Sequence, residues 1–175
     1  MADLAASIKE RGVLQAILVR THPNNKKRFE IICGERRFRA SLVVDLDSIP
    51  ARVVEMTDEE VLDAQIIENL QRRDIHPLDE AKGFLHLQTV SKLAAAEIAR
   101  RVGKHESYVA KRLKLNSLIE PAVKAFHSGQ ILLGHALELC RLTPEIQKDA
   151  LDRSIDEQWI DGKNVRSPAP ILELQ

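Results

Sequence analysis

The sequence predicts an α+β chain: a small α/β unit over residues 1–56, an all-helical unit over 57–162, and a tail or linker over 163–175. Three observations carry this prediction. Short β-branched runs separated by turn signals are confined to the first third of the chain. From Thr57 onward apolar residues recur at helical spacing. Aromatic residues make up only 3% of the chain, while leucine, isoleucine and alanine dominate.

Leu4, Ile8 and Val13 predict a short amphipathic helix stopping at Gly12. Ile17-Leu18-Val19 and Phe29-Glu30-Ile31-Ile32 read as strands, joined by a charged, turn-rich loop over Thr21–Lys27. After Gly34 the alternation is lost, and residues 35–42 can be helical. Ile49 to Val54 returns to strand character, with Pro50 at its start, where proline is tolerated. Thr57 followed by Glu60 is a capping box ahead of Val61, Leu62, Ile66 and Leu70. Pro77 opens a helix whose apolar face is Leu78, Ala81, Phe84 and Leu85. Helical segments follow over 93–102, ending at Gly103, and over 107–115. Pro121, Gly129 and Pro144 punctuate three more helices reaching Trp159.

Composition excludes several classes. No apolar run approaches the ~20 residues of a membrane span, and the first residues have no secretory pattern. Cys33 and Cys140 are too few for a disulfide framework and too far apart for a metal cluster, so buried thiols in a reducing cytoplasm are expected. The net charge is +0, yet charge is segregated. Arg20 to Ala40 carries seven Lys/Arg against Glu30 and Glu35, and Ser91 to Leu115 carries seven against Glu97 and Glu106. Between them, Glu55 to Glu80 holds nine Asp/Glu against Arg72 and Arg73. Two basic blocks around an acidic one point to separate anion-binding faces.

In the second basic block, near 94–115, Ala99, Gly103 and Val109 occupy the small, turn and apolar positions of a helix-turn-helix. The small residue permits close helix crossing, the glycine supplies positive φ, and the apolar residue seats the second helix. Ile98, Val102 and Leu113 complete its core. Lys104 and His105 in the turn, with Ser107, Tyr108, Lys111 and Arg112 on the second helix, are the candidate DNA-binding residues. The competing interpretation is an ordinary helical hairpin with a solvated charged face.

"GVLQAILV" (12–19), "CGERRFRA" (33–40) and "ENLQRRDIHPLDEA" (68–81) are followed by the helix-turn-helix and by "GQILLGHALEL" (129–139). In this order the set resembles the ParB family of chromosome and plasmid partition proteins. The resemblance covers roughly residues 4–160. It implies a small ParB/sulfiredoxin-like N-terminal domain that binds CTP, with its third motif extending to about residue 81. By resemblance the nucleotide would meet Gly12, Gln15, Thr21, Gly34, Glu35, Arg36, Arg37, Asn69 and Arg72. Asn69 would help hold Mg²⁺, and Glu68 would support slow CTP hydrolysis, so any enzymatic role is at most that of a slow switch.

The residues themselves agree in part. Gly34 at a strand-to-helix junction allows close backbone approach, and the following helix N-terminus favours phosphate. Arg36 and Arg37 are expected nearest the phosphates, with Arg39 pairing an acidic helix. No Walker A pattern is present. Read without the resemblance, Glu68 is a surface helix carboxylate, and Thr21 and His22 suit an exposed hairpin edge equally well. Cys33 precedes the glycine instead of following it, so thiol catalysis of the sulfiredoxin kind is not expected. Ala16 stands where the family usually has proline, and Ala94 and Leu132 stand where it often has a Ser/Thr cap.

The resemblance further implies palindromic double-stranded DNA read by a homodimer, N-domain engagement into a sliding clamp, and a ParA-type ATPase partner. It implies a cytoplasmic location on nucleoid or plasmid, without a membrane. The C-terminal dimerisation domain and the N-terminal arm of the family are not visible in the 175 residues. The alternative is a KorB-type repressor that binds operator DNA without nucleotide switching.

Overall fold

The computed structural model describes residues 2–72, 74–160 and 163–168, with side chains described through residue 155. The chain divides into two compact units, Met1–Asn69 and Leu70–Gln175.

In the first unit, α1 (Ala2–Arg11) buries Ala5 and Ile8 in a small cluster with Ala40. Strand β1 (Ile17–His22) lies at the centre of a three-stranded sheet, antiparallel to β2 (Asn25–Cys33) and parallel to β3 (Ala51–Val53). Ile17, Val19 and Ile32 supply the buried apolar positions. Parallel strands need a crossover, which here contains α2 (Glu35–Val43). The loop expected over Thr21–Lys27 is shorter than its composition suggests, because the ladder runs to His22↔Asn25. Two local bonds tighten the turn: Asn24 N–H donates to His22 Nδ1 (3.2 Å) and Lys27 N–H to Asn25 Oδ1 (3.0 Å).

Helix α3 (Asp58–Leu70) begins with the expected capping box. Thr57 N–H donates to Glu60 Oε2 (2.8 Å), and Glu60 N–H donates to Thr57 Oγ1 (3.2 Å). This satisfies two donors that a helix start otherwise leaves without partners. Arg20 on β1 fixes the same end. Its guanidinium, 7% exposed, donates to Glu30 Oε2 (2.7 Å), Met56 O (2.9 Å) and Asp58. Three acceptors around one planar cation let it be buried where an unpaired charge could not be.

The second unit opens with α4 (Pro77–Thr89), with proline in its first turn and His76 as N-cap. Its buried face is Leu78, Ala81, Phe84 and Leu87. Leu85, expected in that face, is instead among the exposed apolar residues, since Leu87 continues the i+3 spacing from Phe84. Helices α5 (Ala95–Val102) and α6 (Glu106–Lys114) pack on α4 and on each other. A 3₁₀ turn (Leu115–Ser117) leads to α7 (Glu120–His127), α8 (Leu133–Leu139) and α9 (Pro144–Arg153). Leu115, Leu118, Ala122, Ala125, Phe126, Ile131, Ala136, Leu139 and Leu151 share one core with Leu78 and Ala81.

Gln147 ties this core to the backbone. The side chain is buried; its Oε1 accepts from Ile119 N–H (3.0 Å), and its Nε2 donates to Ser117 O (3.1 Å) and Leu142 O (3.2 Å).

Helix was expected as far as Trp159. Instead α9 ends at Arg153, and β4 (Ile155–Ile160) pairs antiparallel with β5 (Lys163–Pro168). The residues explain the difference. Ile155, Trp159, Ile160 and Val165 favour strand. Of the tail expected over 163–175, residues 169–175 lie outside the described residues.

Candidate nucleotide and DNA sites

The arginine motif begins where β2 turns into α2. Gly34 there has φ +101°, and a Cβ would fall 2.7 Å from Ile17 Cγ2. Both the backbone angle and the close approach of β1 demand glycine. Gly34 is the N-cap of α2 and supplies no side-chain cap bond. Arg37 N–H already donates to Gly34 O (2.9 Å), so the Glu35 and Arg36 N–H groups are the first-turn donors of α2 that another acceptor, such as a phosphate oxygen, can take.

Arg37 reaches back from α2 and donates through Nη1 to Gln15 O (2.8 Å) and Ala16 O (2.7 Å). One side chain thereby joins the loop after Gly12 to the glycine-arginine turn. Ala16 contributes only its carbonyl, which proline would offer equally. Burial pushes the thiol of Cys33, immediately before Gly34, above the ordinary value; the Glu68 carboxylate adds to the rise, and Arg37 opposes it. Gln15, Ala16, Gly34 and Arg37 therefore gather around one corner of the first unit. Glu68 and Asn69 are both exposed on the last turn of α3.

The remaining candidates divide. Arg36 is exposed on α2, and Gly12 is exposed with φ +71° at the end of α1. Glu35 is committed to Arg39 across one helical turn (2.7 Å). Arg39 thus pairs within its own helix and not with an acidic helix, because i,i+4 neighbours meet without any tertiary requirement. The arginine that does meet the acidic helix is Arg20. Thr21 faces outward beside Phe29 on β2, roughly 13 Å along β1 from Ile17 at ~3.3 Å per residue. At that far end, Arg20, His22, Glu30, Asp58 and Gln65 line a separate open groove. Arg72 belongs to the second unit, where it is ion-paired with Asp74 (3.1 Å).

The helix-turn-helix of the second unit is formed by α5, the turn at 103–105 and α6. Gly103 has φ +68°, where the Lys104 N–H closes the turn on Ala99 O (2.9 Å). Ile98, Ala99, Val102 and Val109 are buried between the helices. Lys104, His105, Ser107 and Lys111 are exposed around the start of α6. Tyr108 and Arg112 behave differently: both turn toward Glu80 on α4. Tyr108 Oη lies 2.7 Å from each Glu80 oxygen, and Arg112 Nε donates to Glu80 Oε2 (2.7 Å). Burial, then the bond to Glu80, pushes the Tyr108 phenol above its ordinary value. On α5, Glu97 holds both Arg100 and Arg101, which draw its carboxyl down to about 2.

Sequence reasoning missed Glu80. The available signal was its i, i+4, i+7 relation to Phe84 and Leu87, which places a carboxylate on a buried helix face. The role of Arg20 gave no such signal, since one basic residue in a strand does not announce two distant acidic partners.

A glycine-arginine turn on a small mixed sheet, in one chain with a helix-turn-helix, defines a class of two-unit proteins with an α/β first unit and a helical second one. A family model described as the ParB N-terminal domain matches residues 1–70, and one described as the ParB HTH domain matches residues 73–167. The chain belongs to the ParB family. It is 43% identical over 173 residues to the chromosome-partitioning protein Spo0J of Thermus thermophilus, covering 99% of this chain and 61% of that protein. It is 39% identical to the nucleoid occlusion protein of Listeria innocua over 94% of this chain and 57% of that protein. The chain thus spans about three fifths of the length of these relatives. Among solved structures, the C-terminally truncated chromosome-partitioning protein ParB of Caulobacter crescentus, complexed to the centromeric parS site, is similar over 89% of this chain and 82% of that chain. The TM-score is 0.74 at 31% identity.

Proposed function

We propose that this chain is the nucleotide- and DNA-binding part of a partition protein that loads at a palindromic, parS-like centromere site. Its second unit reads one half-site, so two copies occupy a palindrome. Lys104, His105, Ser107 and Lys111 meet the duplex, while Tyr108 and Arg112 act through Glu80. The first unit takes CTP, with the α2 N-terminus, Gly34, Arg36 and Arg37 toward the triphosphate. Asn69 would share Mg²⁺ with the phosphates, the usual arrangement for this ion, and Glu68 stands on the same turn of α3 as candidate for slow hydrolysis. When bound, the nucleotide supplies the negative charge that biases copies of the first unit toward one another and closes a clamp on DNA. A ParA-type ATPase is the expected partner of the longer protein.

The observation that carries the proposal is the joining of separate motifs by Arg37, which spans Gln15 O and Ala16 O beside Gly34. Support for the DNA half comes from the exposed Lys104 of the turn and Lys111 of α6 and from the likeness to the parS-bound Caulobacter structure. The test is binding of the chain to a palindromic duplex carrying the Caulobacter parS site and to a scrambled duplex of equal composition, each with and without CTP and Mg²⁺. Preference for the palindrome, altered by CTP, is the expected result. Preference that ignores CTP would identify a KorB-type repressor instead. No preference under any condition would remove the DNA half.

A further inference from the structure

Tyr108 and Arg112 lie on the helix that carries the candidate DNA-reading residues, yet both are tied to Glu80 of α4. The Glu80 side chain is 5% exposed and that of Arg112 13%. Arg112 Nε donates to Glu80 Oε2 at 2.7 Å, Tyr108 Oη is 2.7 Å from both carboxylate oxygens, and Arg112 Nη2 donates to Tyr108 Oη at 3.2 Å. The Arg112 guanidinium also sits over the Tyr108 ring at 4.7 Å, with Lys104 Nζ at 5.3 Å from the same ring. Nearby, Asn116 Nδ2 bridges Ala81 O (2.9 Å) and Leu113 O (3.0 Å), so the end of α6 is joined to α4 independently of the ion pair.

This geometry differs from the Arg100–Glu97–Arg101 group, whose arginine side chains are 75% and 40% exposed. Those exposed pairs can exchange a carboxylate for a phosphate at little cost. The Arg112–Glu80 pair cannot, because withdrawing the arginine would leave a buried carboxylate without its cation.

We infer that Glu80 is a specificity-determining positioning residue: it withholds Arg112 from the DNA and fixes the rotation of α6, so that only Lys104, His105, Ser107 and Lys111 face the groove. This rests on the proposed DNA-binding function. Removing Glu80 releases a cation beside a phosphate-binding surface, which strengthens binding to any sequence and weakens discrimination. A charge that never reaches the duplex contributes nothing to counterion release, whereas each added phosphate contact steepens the salt dependence by about 0.9 in log K against log salt.

The test measures affinity of the wild-type chain and of Glu80→Leu for the palindromic and scrambled duplexes across a salt series, with melting temperature followed in parallel. Glu80→Leu is expected to bind the scrambled duplex more tightly, with a slope steeper by about 0.9. Its preference for the palindrome should fall by about 10-fold, the effect of one misplaced base contact. Adding Arg112→Met should return the slope to the wild-type value, and Glu80→Gln, which keeps an acceptor, should lie between. Wild-type slope and preference in Glu80→Leu, even with a lowered melting temperature, would overturn the inference by showing a purely structural role. If Glu80→Leu does not fold, Arg112→Met alone decides. An unchanged slope supports the withheld arginine, and a slope shallower by about 0.9 means that Arg112 itself touches phosphate. Failure of the wild-type chain to prefer the palindrome would instead remove the DNA-binding reading on which the inference stands.

Discussion

At the scale of single residues, Gly34 and Arg37 shape the glycine-arginine turn in different ways. Gly34 is fixed by sterics. Alanine there would combine left-handed backbone with a contact at 2.7 Å to Ile17, costing roughly 2 kcal/mol or more. A fall in melting temperature of about 10 °C is expected for a unit of this size, followed by calorimetry. Arg37 is fixed by one guanidinium nitrogen, Nη1, which donates to both Gln15 O and Ala16 O. Arg37→Lys keeps the charge but replaces a rigid, planar guanidinium with a point-charge ammonium on a flexible stem, which does not hold both carbonyls and a phosphate at once. CTP affinity should therefore fall by about 10-fold, with the melting temperature little changed, as read by equilibrium titration. The glycine and the arginines were legible as a motif, because an apolar strand ending in glycine brings free backbone donors and the arginines behind it to one corner. The partner of Arg39 was not, because a charged sequence names the ions without naming their pairing. The structure gave Arg39 to its own helix and Arg20 to the acidic one.

At the scale of elements, helix ends and side-chain staples decide stability. His76 caps α4 by accepting the Leu78 N–H at Nδ1 (3.2 Å), and its ring stacks on His127 at 4.4 Å. Burial and then His127 hold its pKa below the ordinary histidine value, with Arg112 and Lys82 lowering it further against Asp79. The unfolded chain thus takes up the proton first as pH falls. Stability is lost as pH drops through the unfolded value of about 6.5, and the loss is complete below the folded value. The melting temperature of the wild-type chain should drop between about pH 7.5 and about pH 5.5 more than that of His76→Asn, whose side chain caps without titrating. Gln147→Leu would leave Ile119 N–H, Ser117 O and Leu142 O without their partner. A loss of about 2 kcal/mol or more is expected in denaturant unfolding. The helices themselves were legible from Thr57 to Pro144, because caps, prolines and 3.6-residue spacing agree locally. Strands β4 and β5 were not, since the proline and glycine punctuation upstream carries the helical reading on to Trp159 and the β-branched and aromatic residues there are few and spread out. Glu80 escaped notice because its meaning depends on what α6 brings to it.

At the scale of the whole molecule, zero net charge conceals two basic blocks, held in place by different partners. In the first unit Arg37 organises the motif-bearing loops. In the second, Glu80 and Glu97 hold three arginines, leaving Lys104, Lys111 and Lys114 as the exposed cations of the turn and reading helix. Such a chain should bind DNA through few phosphate contacts and depend on a ligand, not on bulk charge, to strengthen its hold. The central claim, that a nucleotide site and a DNA site work in one chain, is tested most directly by titrating CTP with Mg²⁺ into the protein, with and without the palindromic duplex. Saturable CTP binding that changes with the palindrome and not with the scrambled duplex is the predicted result. Absence of CTP binding in both conditions would contradict it.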